Sequence, residues 1–151
     1  MAEDRDLAMM RLALDEAREA SYWGDVPVGA VVARSDDVVG RAGNARERKQ
    51  DPTAHAEILA LRAAADRLAS WHLEGCTIYV TLEPCAMCAG ALVLARVNRL
   101  VFGALDPKAG FVGSLGDLVR DPRLNHAVEV ESGVLSGECG DLLREFFRER
   151  R

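Results

Sequence analysis

The sequence predicts an α/β fold: a three-layer α/β/α sandwich with helices on both faces of a central, mixed, five-stranded sheet. Three observations carry this. A stretch with helical spacing opens the chain. Two short Val-rich stretches separated by a polar turn follow it. Strand-like and helix-like segments then alternate to the end. The 151 residues suit one domain, 1–151, with a core of its own.

Each element has its own signal. Leu7, Met10, Leu14 and Ala17 recur at helical spacing, so a helix is expected over about residues 5–21, ended by Gly24-Asp25. Residues 26–33 are short, apolar and rich in Val, which suits a buried strand. Arg34-Ser35-Asp36-Asp37 is a polar turn and Val38-Val39 opens a second strand, making a hairpin. A polar loop runs over about 44–52. Asp51-Pro52-Thr53 opens the next helix, with Thr53 as its expected N-cap and Ile58, Leu61, Ala65 and Leu68 on its buried side. Residues 77–81 form a strand. Pro84 sits where prolines start helices, and that helix runs to about Ala95. Residues 100–102 form a strand and 103–116 a glycine-rich loop, with 114–118 leading into a short helix. A last strand falls at 128–130. Leu142, Leu143, Phe146 and Phe147 place a closing helix over about 138–149 against the core.

Composition narrows the class of function. No apolar run approaches the roughly 18 residues that cross a bilayer. The start, Met1-Ala2-Glu3-Asp4-Arg5-Asp6, is acidic and unlike a secretory signal, so no membrane partner and a cytoplasmic location are expected. A net charge of −5 counts against a nucleic-acid partner, because phosphate binding draws on Lys and Arg. Two local basic clusters stand against that: Arg41, Arg46, Arg48 and Lys49, and Arg144, Arg148, Arg150 and Arg151. Either reads equally as a solvated face. Of the four cysteines, Cys85 and Cys88 have metal-ligand spacing rather than disulfide character. Cys76 reads as a small buried hydrophobe, and Cys139 is left over.

The chemistry concentrates in His55-Ala56-Glu57 and Pro84-Cys85-Ala86-Met87-Cys88. Three N/S donors leave a tetrahedral zinc one open position, the arrangement of a catalytic rather than a structural site. Two Cys and one His suit zinc over magnesium or calcium, which prefer oxygen. Cys85 and Cys88, three apart at a helix start, point from one face into the positive end of the helix dipole, where thiolates form easily. His55 and Glu57 are two apart and would diverge in mid-helix. They converge only if both sit in the first turn with the metal off the helix end. Glu57 is then offset from the metal and free to take a proton from water and hand it to a leaving group. A structural site would need a fourth donor from His72, Cys76, His126 or Cys139, none of which has a partner at metal spacing. A thioredoxin-like redox pair would leave His55-Ala56-Glu57 unexplained.

Together, His-x-Glu followed by Pro-Cys-x-x-Cys is the signature of the cytidine-deaminase superfamily of zinc deaminases. Longer stretches, Val26-Pro27-Val28-Gly29-Ala30-Val31, Asp51-Pro52-Thr53-Ala54-His55-Ala56-Glu57 and Thr81-Leu82-Glu83-Pro84-Cys85-Ala86-Met87-Cys88-Ala89-Gly90-Ala91, resemble the bacterial tRNA-specific adenosine deaminases. So do Val101-Phe102-Gly103-Ala104, Asn125-His126 and Phe146-Phe147-Arg148. The resemblance covers about residues 7–148. It implies a cytidine deaminase-like fold, a homodimer and one zinc ion per subunit. The implied substrate is the wobble adenosine of a tRNA anticodon stem-loop, hydrolysed at C6 to inosine with release of ammonia. By position, His55, Cys85 and Cys88 match the family's zinc ligands, Glu57 its proton shuttle, and Asn44 an asparagine that contacts the target nucleoside. Asn44 also reads as a loop residue making a local turn bond. Glu83, next to Pro84, reads as a helix cap or a backbone ligand rather than a second acid. Two rivals remain at this level: a guanine or cytosine free-base or nucleoside deaminase on the same signature, and a non-catalytic zinc-stabilised binding protein, which would have no use for Glu57.

Overall fold

The computed structural model describes residues 2–150. The elements run α1 (Ala2–Tyr22), β1 (Gly29–Arg34), β2 (Asp37–Gly43), α2 (Arg46–Lys49), α3 (Ala56–Leu68), β3 (Cys76–Leu82), α4 (Ala86–Ala95), β4 (Arg99–Ala104), β5 (Glu129–Ser132) and α5 (Ser136–Glu149). They build the expected mixed five-stranded sheet, in the order β2-β1-β3-β4-β5. β1 is antiparallel to both β2 and β3, while β3, β4 and β5 are parallel. The β1–β2 connection is tight because Ser35 takes a left-handed φ of 55°. β3, α4 and β4 form a parallel crossover, which places the start of α4 at the carboxyl end of β3.

Alternation along the strands divides the core between the two faces. Ala30, Val32, Ile78, Val80, Leu100 and Phe102 pack beneath α3 and α4. Val31, Ala33, Tyr79 and Val101 pack with Met10 and Leu14 of α1 and Cys139 of α5 on the other side. Two glycines set how closely the layers approach. A Cβ at Gly29 would collide with the backbone of Ala13 and Ala17 in α1, and one at Gly40 with that of Ala60 and Ala64 in α3. Burial of Cys76 agrees with its reading as a small hydrophobe. No helix among the described residues is long and apolar enough to cross a membrane.

One buried polar knot ties α1 to the sheet. The Asp6 carboxylate accepts from both terminal nitrogens of Arg99 (2.8 Å each) and from the Tyr79 hydroxyl (3.0 Å). Arg99 also reaches Glu129 and Glu131 of β5. The Arg99 bonds hold the Asp6 carboxyl below its ordinary range against the effect of burial. Burial, with Asp6 alongside, pushes the Tyr79 phenol up to about 12.

Several boundaries differ from the sequence expectation. Thr53 does not cap α3: its N–H and hydroxyl both donate to Asp51 Oδ1 (2.8 Å each), and the helix starts at Ala56 with His55 at the N-cap. Pro84 lies just ahead of α4, whose N-cap is Cys85. The first strand begins at Gly29 rather than 26, because Val28 N–H turns back to the Val26 carbonyl (2.9 Å). The last strand falls at Glu129–Ser132 and the closing helix begins at Ser136. Residues 114–118 form no helix; a lone bridge between Val112 and Asp117 and bonds to Glu83 hold them instead. Within the expected polar loop stands the short α2. Asp25, buried and remote in sequence, caps it by accepting from the N–H groups of Glu47 (2.6 Å) and Arg48 (3.3 Å).

Candidate active and metal-binding site

The first turns of α3 and α4 converge at one end of the sheet. Each of these helices carries a possible metal donor at its N-cap, His55 and Cys85, where Ser, Thr, Asp or Asn is usual, and neither makes a side-chain cap bond. Side chains spent on capping would not be available to a metal. Cys88 follows one turn into α4 and is fully buried. His55 Nδ1, Cys85 Sγ and Cys88 Sγ all lie within 4.8 Å of one another, and no other such trio stands among the described residues.

These distances can be tested against zinc. Bonds of about 2.3 Å to sulfur and about 2.0 Å to nitrogen at a tetrahedral angle put S and N about 3.6 Å apart. The structure has 3.6 Å from Cys85 Sγ and 3.5 Å from Cys88 Sγ to His55 Nδ1. The donor set therefore fits a four-coordinate ion with one position left open. Of the four residues that could have closed a structural site, Cys76 and Cys139 are buried in the core, His126 Nε2 sits 2.7 Å from the Val97 carbonyl, and His72 pairs with Glu74. None joins the trio.

The titration of the trio is shared. A hydrogen bond from Cys88, and then one from His55, brings the Cys85 thiol down to about 4 against the pull of burial. Cys88, donating to Cys85 and buried, is pushed up. The bond to Cys85 raises His55. Glu57, in the first turn of α3 and only 4% exposed, is pushed up to about 7 by burial; its own backbone N–H pulls the other way and the Cys85 charge adds to the rise.

The pocket in front of the trio holds about 160 Å³, and cavities of roughly 150 Å³ accept a benzene ring. Val26, Val28 and Leu82 supply apolar walls, with Asn44, Glu57 and Asp106 as polar groups. A flat heterocycle fits such a lining.

The comparisons with known proteins agree with this geometry. A family model described as MafB19-like deaminase matches residues 4–151. The tRNA-specific adenosine deaminase of Bacillus subtilis is 51% identical over 97% of this chain and 91% of its own length. That of Aquifex aeolicus is 46% identical over 94% and 93%. The chain belongs to the tRNA-specific adenosine deaminases. A solved structure from work on A-to-I editing by tRNA:A34 deaminases at the wobble position superposes on this family member with a TM-score of 0.87 at 44% identity, covering 90% of this chain and 99% of the other. A guanine deaminase from Nitrosomonas europaea shares the fold at 26% identity and a TM-score of 0.80, covering 93% of this chain and 83% of the other.

Asn44 of this deaminase stands where it could serve a ligand and makes the local bond as well. It lines the pocket, and it also bonds locally: its amide donates to the Val26 carbonyl (3.2 Å) and its oxygen accepts from Arg46 N–H (3.2 Å). The amide nitrogen carries a second N–H beyond the one given to Val26. Glu83 is a backbone ligand and no helix cap. It accepts from the N–H groups of Asp106 (3.0 Å), Val112 (2.9 Å) and Ser114 (3.1 Å) and from the Ser114 hydroxyl (2.5 Å). It thereby holds the loop that carries Asp106 and Ala109 to the pocket wall, and a Cβ at Gly110 would strike its carboxylate. Sequence reasoning missed Arg46 and Asp106 as lining residues. The signal for Asp106 was present in the Asp106-Pro107-Lys108 turn, whose Asp accepts from the N–H groups of Lys108 and Ala109.

Proposed function

We propose that this protein hydrolyses adenosine to inosine at the wobble position of a tRNA anticodon, with one zinc ion per subunit held by His55, Cys85 and Cys88 and with Glu57 as the proton carrier. The convergence of the His/Cys/Cys trio with a buried carboxylate in one ring-sized pocket carries this reading. Family membership supplies the substrate.

When bound, zinc supplies the Lewis acidity that makes a water nucleophilic at neutral pH. Glu57 takes one proton from the attacking water and delivers it to the purine ring nitrogen, then takes the remaining proton from the new hydroxyl at C6 and delivers it to the departing amine, so that ammonia leaves and a carbonyl remains at C6. A carboxyl buried beside the open position can both accept and return a proton. Asn44 positions the nucleoside through its second amide hydrogen, while Val26, Val28 and Leu82 exclude water from the ring faces. An adenosine reaches such a pocket only when splayed from its neighbours, which costs least in an unpaired loop.

The acidic chain meets RNA through a local basic groove. Lys108, Arg144, Arg148 and Arg150, with Phe147 exposed between them, line a groove of about 680 Å³. Lys108 stands between Asp106 and Ala109, so one loop serves both the groove and the pocket. Arg151 lies outside the described residues. The other basic cluster is partly committed: Arg41 pairs with Glu16 (3.0 Å) and Arg46 lines the pocket. A homodimer is supported by an apolar strip on the α3–α4 face, where Trp71 and Leu94 stand exposed beside Leu61, Ala65 and Ala91. The RNA substrate and four unbridged cysteines support a cytoplasmic location.

The test offers zinc-loaded protein an anticodon stem-loop with adenosine at the wobble position, beside free adenosine, guanine and cytosine. Conversion of the stem-loop alone is expected. Ammonia from a free base with the RNA untouched would overturn the substrate.

A further inference from the structure

Beside the pocket lies a second feature that the deamination chemistry does not use. Tyr22 and Trp23, at the end of α1, are 83% and 54% exposed, although such side chains usually bury most of their apolar body. Their rings meet edge to face at 5.5 Å. The Arg48 guanidinium stands 5.6 Å from the Trp23 ring and has no carboxylate partner among the described residues. The arrangement is fixed rather than incidental. Asp25, two residues past Trp23, caps α2 through the N–H groups of Glu47 and Arg48 and so pins the Arg48 backbone to the end of α1. Trp23, Arg48, Glu19 and Asn44 line one shallow crease of about 40 Å³, and Asn44 is shared with the catalytic pocket.

We propose that this crease is a stacking seat for the nucleobase adjacent to the one held in the pocket, with Trp23 as the platform, Tyr22 as its edge support and Arg48 as the lid. The inference rests on the RNA reading given above. The crease is too small to enclose a base, so the occupant stacks on a face and leaves its edge in solvent. The shared Asn44 makes the seat continuous with the pocket, as neighbouring nucleotides of one strand require. Charge also selects the occupant. Glu16 is neutralised by Arg41, but Glu19, one helical turn before Trp23, is exposed and unpaired among the described residues. A carboxylate there disfavours a phosphate and accepts from an exocyclic amine, so the seat favours an amino-bearing base over uracil. Aromatic stacking and Arg planes are the usual means of holding unpaired RNA bases.

The experiment uses full-length, zinc-loaded protein and the wobble-adenosine stem-loop. Trp23→Ala is expected to raise KM for the stem-loop by roughly 5- to 100-fold with kcat unchanged, and Trp23→Phe to restore most of the loss. Removing the base of the seated neighbour should erase the difference between wild type and Trp23→Ala. The chain has two tryptophans, so in a Trp71→Phe background Trp23 fluorescence reports alone and should be quenched by the intact stem-loop, less by the abasic one. A wild-type KM for Trp23→Ala, a loss in kcat instead, or quenching indifferent to the missing base would overturn the seat while leaving deamination intact. A wild-type protein that leaves the stem-loop unmodified would overturn the RNA reading and the seat with it.

Discussion

Glu57 and Glu83 flank the same pocket, are both almost fully buried, and are opposites in every other respect. Glu83 collects four donors, so that although burial alone would raise its pKa, the Ser114 hydroxyl and three backbone N–H groups hold it below its ordinary range. It is a fixed anion around which a loop is wrapped. Glu57 has only its own backbone N–H and the neighbouring thiols, and burial wins, pushing it up to about 7. Burial by itself therefore assigns no role. The number of donors decides whether a carboxylate becomes a post or a proton carrier.

The largest effect should come from removing the proposed proton carrier. Glu57→Gln is expected to keep fold and zinc content while lowering kcat by roughly 100- to 10,000-fold, measured by inosine formation alongside metal analysis. Unchanged turnover would erase the distinction between the two carboxylates.

A third buried carboxylate, Asp6, extends the contrast to the far side of the sheet, where a cation rather than amides supplies the compensation. Asp6→Ala leaves the Tyr79 hydroxyl unmet and Arg99 with only Glu129 and Glu131, and should cost roughly 1–3 kcal/mol in chemical denaturation. The pH dependence has a definite sign. Asp6 and Glu83 have folded pKa values depressed below their unfolded ones. Their contributions are thus present above the unfolded values, about 3.9 and 4.3, and are lost as pH falls toward the folded ones. Asp6→Ala should flatten the stability profile below about pH 4.

Glu83→Gln comes next. An amide in place of the carboxylate turns an N–H toward backbone donors and leaves some of them unmet, at about 1–3 kcal/mol. Hydrogen exchange should rise over residues 106–114 while the zinc content stays stoichiometric. Loss of zinc instead would make Glu83 part of the metal site and not a loop post. The smallest effect concerns the basic groove. Neutralising Arg148, Arg150 and Arg151 should raise KM for RNA severalfold. The slope of log affinity against log salt should shrink by about 0.7 for each phosphate that is no longer neutralised. An unchanged slope would make that patch a solvated helix end.

The layered fold was legible because alternation in the strands and the spacing of Met10, Leu14 and Ala17 reflect burial directly, although Leu7, on the same spacing, stands 40% exposed. The convergence of His55, Cys85 and Cys88 into a group able to hold a metal was legible because donor chemistry fixes both residue type and spacing, and the offset between His55 and Glu57 already required a shared first turn. Thr53 misled because Asp51, two residues away, captures both of its donors. The conformation of residues 103–118 was illegible because Glu83, far back in the chain, dictates it, and local propensity at 114–118 lost to those bonds. The same holds for α2, whose cap comes from Asp25. Long-range side-chain bonds to backbone leave no periodic trace.

The central claim is best tested by mass analysis of the wobble-adenosine stem-loop after reaction with zinc-loaded protein in heavy-oxygen water. Inosine at the wobble position alone, carrying the solvent oxygen at C6 and formed roughly 100- to 10,000-fold more slowly with Glu57→Gln, is the predicted result. An unmodified wobble adenosine, or an inosine without the solvent label, would contradict hydrolytic deamination at this site.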